Sequence, residues 1–446
     1  MRINSQFTPL VCLLALSFFW TQPHAQPSSG VEVDVSASGT SRLKIALPPA
    51  VKVGSQIDTQ GITESIEQTL YRDLGLSGFF ELIPGDRLMH DSTGEGMAPR
   101  FADYFNVGAQ AILKVSYEIK GTKVGKQSVV IDMRLFSVAT EQRVTLESPF
   151  DKPKVLPVSS VDIRRYTTLF ADEVIRHFTG QKGVFSSRLA VVKRSKRGKE
   201  IYMVSADGLE EVRLTRKGGL NLLPSLASNR LYFTSFRSGR PDLYELVNGK
   251  VKPVSSYKGL NTGAALSPKG DALAITLSKD GNPEIYLLNP DTGAVIKKLT
   301  NSWGIDTSPS WSPDGSKIAF VSDRHGSPQI WVMNSDGTQP KRLTFQGDYN
   351  QTPAWSPNGD LIAFTARDER NVFDIFTVRV SDSAMTRLTQ NQGNNEEPTW
   401  SPDGRYLAFT STRSGRSELY LSNPDGRFQR KLSTRDGVYL TPSWGR

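Results

Sequence analysis

One pentapeptide recurs through the second half of the chain and constrains the fold more than any other feature. Trp-Ser-Pro-Asp-Gly begins at Trp311 and Trp400, and Trp-Ser-Pro-Asn-Gly begins at Trp355. These tryptophans are 44 and 45 residues apart, and Trp444 follows 44 residues after the last. A proline precedes each by two positions, at Pro309, Pro353, Pro398 and Pro442. Weaker copies end at Leu266, ahead of Ser-Pro-Lys-Gly, and at Leu226 after Pro224. A fixed period of this length is the signature of a repeat architecture.

Each copy continues with three more strand-like segments in the same phase. Alternating apolar runs begin at Leu189, Leu231, Leu273, Ile318, Ile362 and Leu407. A second set begins at Ile201, Leu243, Ile285, Ile330, Ile375 and Leu419, each followed by an aromatic residue. A third ends in a basic residue followed by Leu-Thr or Leu-Ser, at Arg213, Lys298, Arg342, Arg387 and Lys431. Short β-branched and aromatic runs bounded by Gly, Pro, Asp and Asn read as strands. In Ser-Pro-Asp-Gly, Pro presets the first corner of the turn and Gly takes its left-handed position. Four antiparallel strands per unit of about 43 residues predict an all-β six-bladed β-propeller over 188–446. The repeat enters at its second strand near Leu189 and ends on a first strand near Trp444, so the C-terminal strand is expected to complete the first blade and close the ring. The 37 glycines and 26 prolines belong to this turn density.

Residues 41–180 follow a different pattern, that of an α/β domain with a mixed sheet. Ile62, Ile66, Leu70 and Leu74 recur at helical spacing and predict a helix stopping at Gly75. Strands are expected at 43–48, 79–83, 111–119, 128–138 and 143–149, a short helix at 99–106, and a last helix from Val161 to Phe178. Residues 181–187 read as a linker to the propeller. Ahead of the domain, an apolar run at 9–20 behind Arg2 reads as a secretory signal peptide with cleavage near Ala25. Residues 26–40 then form a Gly/Ser-flanked arm in which Val31, Val33 and Val35 alternate. That arm reads as a first edge strand, a tail, or a segment that pairs with a partner's sheet.

Several chemistries are excluded or disfavoured. The one cysteine, Cys12, leaves with the leader, which removes disulfides and thiol chemistry from an exported protein. After the leader only His90, His177 and His325 remain, widely separated, which argues against a zinc site or a His-based triad. A propeller-containing exported hydrolase, peptidase or glycosidase, is the alternative class. No Gly-x-Ser-x-Gly elbow is present, and the adjacent Glu396 and Glu397 read as solvated loop acids. The formal charge of +9 is scattered, without a stacking platform or a basic amphipathic helix. Asp323, Asp336 and Asp425 suit Ca²⁺ by type but not by the spacing of a calcium loop, so ordinary turn chemistry is the preferred reading and no cofactor is expected.

The combination resembles the TolB family, periplasmic propeller proteins of the Tol-Pal system of Gram-negative bacteria. Besides the repeat, the likeness rests on Arg-Asp-Leu-Gly-Leu-Ser-Gly-Phe from Arg72 and on Asp-Glu-Val-Ile-Arg-His-Phe-Thr-Gly-Gln-Lys-Gly-Val-Phe from Asp172. It implies a protein-binding component, not an enzyme, acting as a monomer in the periplasm without inserting in a membrane or binding nucleic acid. In the family, one propeller face holds Pal, the peptidoglycan-associated outer-membrane lipoprotein, and the N-terminal arm is handed to TolA of the inner-membrane motor. The two are coupled during constriction of the outer membrane at cell division, related lipoproteins are further partners, and some bacteriocins use the same face. The resemblance places the arm contact at Val31, Val33 and Val35.

For the Pal face, the loops entering each Pro-x-Trp strand are expected to line the channel mouth. They carry Leu260, Asn261, Thr262, Gly263, Asp306, Thr307, Ser308, Asn350, Gln351, Asn395, Glu396 and Leu440. The same Asn, Asp and Thr residues also read as turn residues that satisfy backbone groups. Loops between second and third strands should share this face. They bear Arg237, Arg240, Lys279, Arg324, His325, Arg367, Arg370, Arg413 and Arg416, either solvated charge or a ring that steers an acidic partner, with Arg324 and Arg367 the clearest candidates.

Overall fold

The computed structural model describes residues 42–88, 90–121, 127–216, 219–227 and 229–445. The leader, the arm and with them Val31, Val33 and Val35 lie outside the described residues.

The N-terminal half is a mixed sheet between two helical layers. Leu43–Leu47 runs parallel to both Phe80–Pro84 and Ala111–Lys120, and the latter pairs antiparallel with Ser128–Ser137, which pairs with Gln142–Val144. Side chains alternate across it, as the pleat requires. Ile45, Leu113 and Ile131 point to one core with helices α1 (Ile62–Ser77) and α3 (Ser160–Thr179). Ala46, Ile112 and Phe136 point to another, covered by Tyr104 of the short helix α2 (Phe101–Asn106). Two short strands went unread in the sequence: Val51–Val53 and Lys154–Pro157, which flank the long central pair.

Helix α1 does not stop at Gly75. It runs to Ser77 and ends at Gly78, whose φ of 77° supplies the left-handed C-terminal residue. Gly75 is instead a packing position, where an added Cβ would lie 3.8 Å from Leu82. Helix α3 starts under the side chain of Ser159, which accepts from the Asp162 N–H, and ends at Gly180 with φ 72°.

Among the described residues the second half forms six antiparallel blades of four strands around a channel; four are separate sheets, and blades 1 and 2 are joined into one eight-stranded sheet where Gly219 and Leu220 pair in parallel with Gly198 and Lys199. The inner strands are Gly219–Ala227, Asn261–Leu266, Asp306–Trp311, Asn350–Trp355 and Asn395–Trp400 for blades 2 to 6. In blade 1 the inner strand is Val438–Trp444, which pairs antiparallel with Arg188–Ser195. The repeat's turns form as their residues dictate. In the turn after Trp311, Ser312 Oγ donates to Asp314 Oδ1 at 2.5 Å, and Gly315 takes φ 71°.

A second repeated device ties neighbouring blades. The third strand of a blade begins with a buried polar residue that accepts from a Thr at the end of the fourth strand and from an Asn at the start of the next inner strand. Gln329 Oε1 accepts from Thr344 Oγ1 at 2.8 Å and Asn350 Nδ2 at 2.9 Å. Asp374 Oδ1 accepts from Thr389 Oγ1 at 2.6 Å and Asn395 Nδ2 at 2.9 Å. Glu200 holds Thr215 and Asn221 in the same way. The same threonines accept the N–H groups of Ile201, Ile330 and Ile375. The buried Gln, Asp and Glu acceptors thereby have their donors, which is what limits the cost of burying them. The recurring Leu-Thr of the sequence is one member of this triad.

The N-terminal domain sits on the propeller face where inner strands end. Helices α1 and α3 share one continuous apolar core with Leu189, Val191, Ala206, Tyr406, Leu432 and Trp444. Arg72 of α1 donates across the seat to the carbonyls of Asp207 (2.8 Å), Lys431 (2.9 Å) and Leu432 (2.7 Å). Tyr406 donates to the Ser77 carbonyl at 2.8 Å. Residues 181–187 pack closely here. Phe185 is buried, the N–H groups of Phe185 and Ser186 donate to Asp172, and a Cβ on Gly183 would meet Asp172 Oδ1 at 2.2 Å.

Candidate functional site

Among the described residues the N-terminal domain leaves the opposite face, where inner strands begin, uncovered. Its rim joins two sets of loops, because each inner strand starts opposite the end of the second strand: Asp306 pairs with Ser322 and Asn395 with Ser411. The loops entering the inner strands and the loops leaving the second strands therefore meet there.

Four of the residues expected to face a partner do not. Asn261, Asp306, Asn350 and Asn395 are fully buried. Asn350 and Asn395 belong to the interblade triads just described. Asn261 accepts from Ser255 Oγ at 2.7 Å and from the Tyr257 N–H at 3.0 Å, and donates to the Tyr257 carbonyl at 2.8 Å. Asp306 pairs with Arg324 at 2.7 Å. All four are shut away from the surface, so contact with a partner falls to their neighbours. Thr262, Thr307, Gln351, Glu396 and Leu440 are half-buried along the inner rim, and Leu260 is exposed.

Just inside the rim every inner strand carries one residue in the left-handed region. These are Leu223, Gly263, Ser308, Thr352, Glu397 and Thr441, with φ between 43° and 64°. All six fall at the register shift of their strand, so each is a bulge that re-aims the backbone. Five precede a proline, where the helical region is sterically disfavoured. The ring is stitched between blades: the Ser308 N–H donates to Thr276 Oγ1 at 3.3 Å, the Glu397 N–H to Thr365 Oγ1 at 2.9 Å, and the Thr441 N–H to Glu397 Oε2. Below it lies a cavity of about 490 Å³ lined by the six inner strands, with Pro224, Pro309, Pro353, Trp311, Trp355 and Trp400 in its wall. Burial pushes the Glu397 carboxyl up to about 7 and raises that of Glu396. As contact residues, sequence reasoning named only Gly263 and Ser308 of this ring, and its reading of Glu396 and Glu397 as solvated loop acids is corrected by their burial; the recurring residue before proline was the available signal.

The basic ring turns out to be structural in most blades. Arg324 donates through Nε to Ser322 Oγ at 2.8 Å, pairs with buried Asp306 and lies 4.7 Å from the Trp331 ring centre. Arg413 repeats this with Ser411 at 2.8 Å, Asn395 at 3.0 Å and Tyr420 at 4.2 Å. Arg237 lies 4.7 Å from Tyr244 and donates to Ser235 at 3.2 Å. Each guanidinium is a brace between strands, spending its charge on an aromatic face and a buried acceptor. Arg367 stays nearer solvent, paired at 2.8 Å with the exposed Asp348. A ring of free charge for steering is therefore replaced by paired charge, with Arg324 the clearest correction.

Instead, the rim presents apolar groups that sequence reasoning largely missed. Trp303 is 77% exposed, Phe345 65%, Ile305 45% and Leu260 38%. They stand on the loops entering blades 3, 4 and 5. The signal was present as apolar residues in otherwise polar loops, Trp303 and Ile305 between Leu-Thr and Pro-x-Trp, and Phe345 directly after Thr344. Large apolar side chains held this far into water and grouped on one rim mark a contact surface. The three calcium candidates are occupied by turn bonds: Asp323 accepts from the Ile305 N–H at 2.6 Å, Asp336 from the Thr338 N–H at 2.9 Å and Asp425 from the Arg427 N–H at 2.8 Å. Among the described residues no group of three or more His, Cys, Asp or Glu side chains is placed to hold a metal ion.

Comparison with known proteins agrees with this architecture. Residues 175–446 match the model of the TolB beta propeller domain, and residues 31–144 match that of the TolB amino-terminal domain. The chain is 40% identical over 441 residues to the Tol-Pal system protein TolB of Myxococcus xanthus, covering 97% of this chain and 98% of that protein. To the TolB homolog of Chlorobium luteolum it is 31% identical over 450 residues, covering 100% and 99%. A shorter match, 40% identical over 186 residues, covers 41% of this chain and 40% of the Tol-Pal system protein TolB of Desulfosudis oleivorans. The crystal structure of TolB from Acinetobacter baumannii superposes with a TM-score of 0.74 at 27% identity, over 91% of this chain and 98% of that one. In sequence and in architecture, the chain belongs to the TolB family.

Proposed function

We propose that this protein is a periplasmic, non-enzymatic binding component of a Tol-Pal system. Its uncovered propeller face holds the lipoprotein Pal, and its N-terminal arm, residues 26–38 with Val31, Val33 and Val35, is handed to TolA. The protein thereby couples the inner-membrane motor to the outer membrane during constriction. The observation that carries the Pal assignment is the rim itself: Leu260, Trp303, Ile305 and Phe345 are exposed on the one face that the N-terminal domain leaves free. Thr262, Gly263, Thr307, Ser308, Gln351, Glu396 and Leu440 surround the channel mouth beneath them and supply the polar component of such an interface. In this organisation a leader over 1–25 precedes the arm over 26–40, the α/β domain over 41–180, a linker over 181–187 and the propeller over 188–446.

Exposed aromatic anchors are where binding energy concentrates, at about 2 kcal/mol or more each. Titrating the mature chain with the soluble domain of Pal is therefore expected to show at least about a 30-fold weaker Kd for the double variant Trp303→Ser, Phe345→Ser. Its melting temperature should stay that of the parent, because both side chains are already in water. Deleting residues 26–38 should abolish capture of TolA from envelope extracts. Undiminished Pal affinity in the double variant, or recovery of neither protein from extracts, would overturn the assignment.

A further inference from the structure

The two segments that carry the N-terminal family likeness, from Arg72 and from Asp172, meet at the seat between the domain and the propeller, and the partner face makes no use of them. Three carboxyl groups are fully buried there: Asp73 on α1, Asp172 on α3, and Asp207 on the blade 1 loop between Gly198–Ser205 and Glu211–Arg213. Two of them are well provided for. Asp172 accepts from the N–H groups of Phe185 at 2.9 Å and Ser186 at 3.0 Å. Asp207 pairs with Arg164 of α3 and accepts from Ser205 Oγ and, at 3.0 Å, from the Leu209 N–H.

Asp73 has no such provision. Both its oxygens are buried, and neither has a hydrogen-bond partner. Thr168 and Asp172 of α3 and Asp207 of the propeller face it. The neighbouring cations are directed elsewhere: Arg72 to the carbonyls of Asp207, Lys431 and Leu432, and Arg164 to Asp207 and Glu210. Tyr406 from blade 6 donates to the Ser77 carbonyl. An ionised carboxylate in this place has two buried acids opposite it and only the Thr168 hydroxyl to offset them, and such a charge is strongly unfavourable.

We propose that Asp73 is a proton-dependent latch: its carboxyl carries a proton while the N-terminal domain is seated on blades 6 and 1, and releases that proton to water when the seat opens. Burial, then the charges of Asp207 and Asp172, hold this carboxyl well above the usual carboxylate range. The sign follows from linkage. The seated state binds one more proton than the opened state, so seating is strongest below the ordinary carboxylate value near 4 and weakens as pH rises from there toward the seated value. One proton's difference is about a tenfold change in the opening equilibrium per pH unit.

The test is amide hydrogen exchange of the mature chain between pH 5.5 and 8.5, corrected for the intrinsic rate. The readouts are α1 and residues 205–211, with blades 3 and 4 as internal reference. In the parent, protection at the seat should fall by up to about tenfold per pH unit, while blades 3 and 4 stay level. Asp73→Asn should keep the seat protected at pH 8.5 and remove the slope. Asp172→Asn, which alters the acceptor for Phe185 and Ser186 but leaves Asp73 ionisable, should retain it. Parallel slopes in the parent and Asp73→Asn would overturn the latch. If the variants fail to fold, level seat protection in the parent alone would do so. Neither Pal nor TolA enters this experiment, so its failure is separate from failure of the binding assignment.

Discussion

Removing residues 438–446 is expected to abolish the cooperative melting transition of the propeller. Deletion of most nine-residue termini would leave a domain largely intact. Here the segment is the inner strand of blade 1, paired from Val438 opposite Arg194 to Trp444 opposite Leu189. It also holds three blades together. The Trp444 N–H donates to Thr399 Oγ1 of blade 6 at 3.0 Å, Ser443 Oγ accepts the Leu226 N–H of blade 2 at 2.9 Å, and the Trp444 indole donates to Ser187 at 2.7 Å. Tyr439 is buried, accepts from Lys193 at 3.1 Å and donates to Glu211 at 2.5 Å. Truncating a buried Tyr- or Trp-sized side chain costs about 3–5 kcal/mol. Losing two of them, with a full ladder of backbone bonds, approaches the about 5–15 kcal/mol that holds a domain folded. The deletion also bares the edge of Arg188–Ser195 in blade 1, which invites pairing with other chains. Calorimetry and light scattering should show loss of the transition and concentration-dependent aggregation. A midpoint within about 3 °C of the full chain would refute this account of closure.

The period of the Trp-Ser-Pro-Asp-Gly repeat made the propeller readable, because each residue of the motif has a local task that any copy must perform. The same reasoning misplaced the partner residues. Asn261, Asp306, Asn350 and Asn395 recur in phase at the mouths of four successive inner strands, and recurrence in phase is what a ring needs to join its own blades. A single asymmetric partner does not require it. Their donors and acceptors, Gln329, Asp374 and the Leu-Thr threonines, lie on other strands, so the triads become visible only once the blades are side by side. Trp303, Ile305 and Phe345 escaped for the opposite reason: they occur once each, in loops without periodicity, where pattern reasoning has nothing to count. In the N-terminal domain, Gly75 looked like a helix terminus because glycine is common there, whereas Gly78 adopts the left-handed conformation that ends the helix. Asp73 gave no signal at all, since an acid in an amphipathic helix ordinarily faces water.

Arg324→Glu is expected to destabilise the propeller by about 3–5 kcal/mol, and not merely to slow association with an acidic partner. The guanidinium is only 15% exposed and is the counter-ion of fully buried Asp306: it bonds Oδ2, and Oδ1 has no hydrogen-bond partner. Glutamate at this position places a second carboxylate beside the first. It also removes the bond to Ser322 and the contact with Trp331. The cost is that of an uncompensated buried charge, which exceeds the about 0–1 kcal/mol typical of exposed pairs. Arg367→Glu provides the contrast: its partner Asp348 is exposed, so the change should lower stability by about 1 kcal/mol or less. Two measurements separate a brace from a steering charge. Urea unfolding should show a large fall in midpoint for Arg324→Glu, with partial recovery when Asp306→Asn is added, because the asparagine removes the stranded charge while keeping a polar group against the turn. Stopped-flow association with Pal at several salt concentrations should give the parent's salt slope for any folded Arg324→Gln protein. An unchanged urea midpoint for Arg324→Glu together with a flattened salt slope would return this residue to the role of guiding a partner.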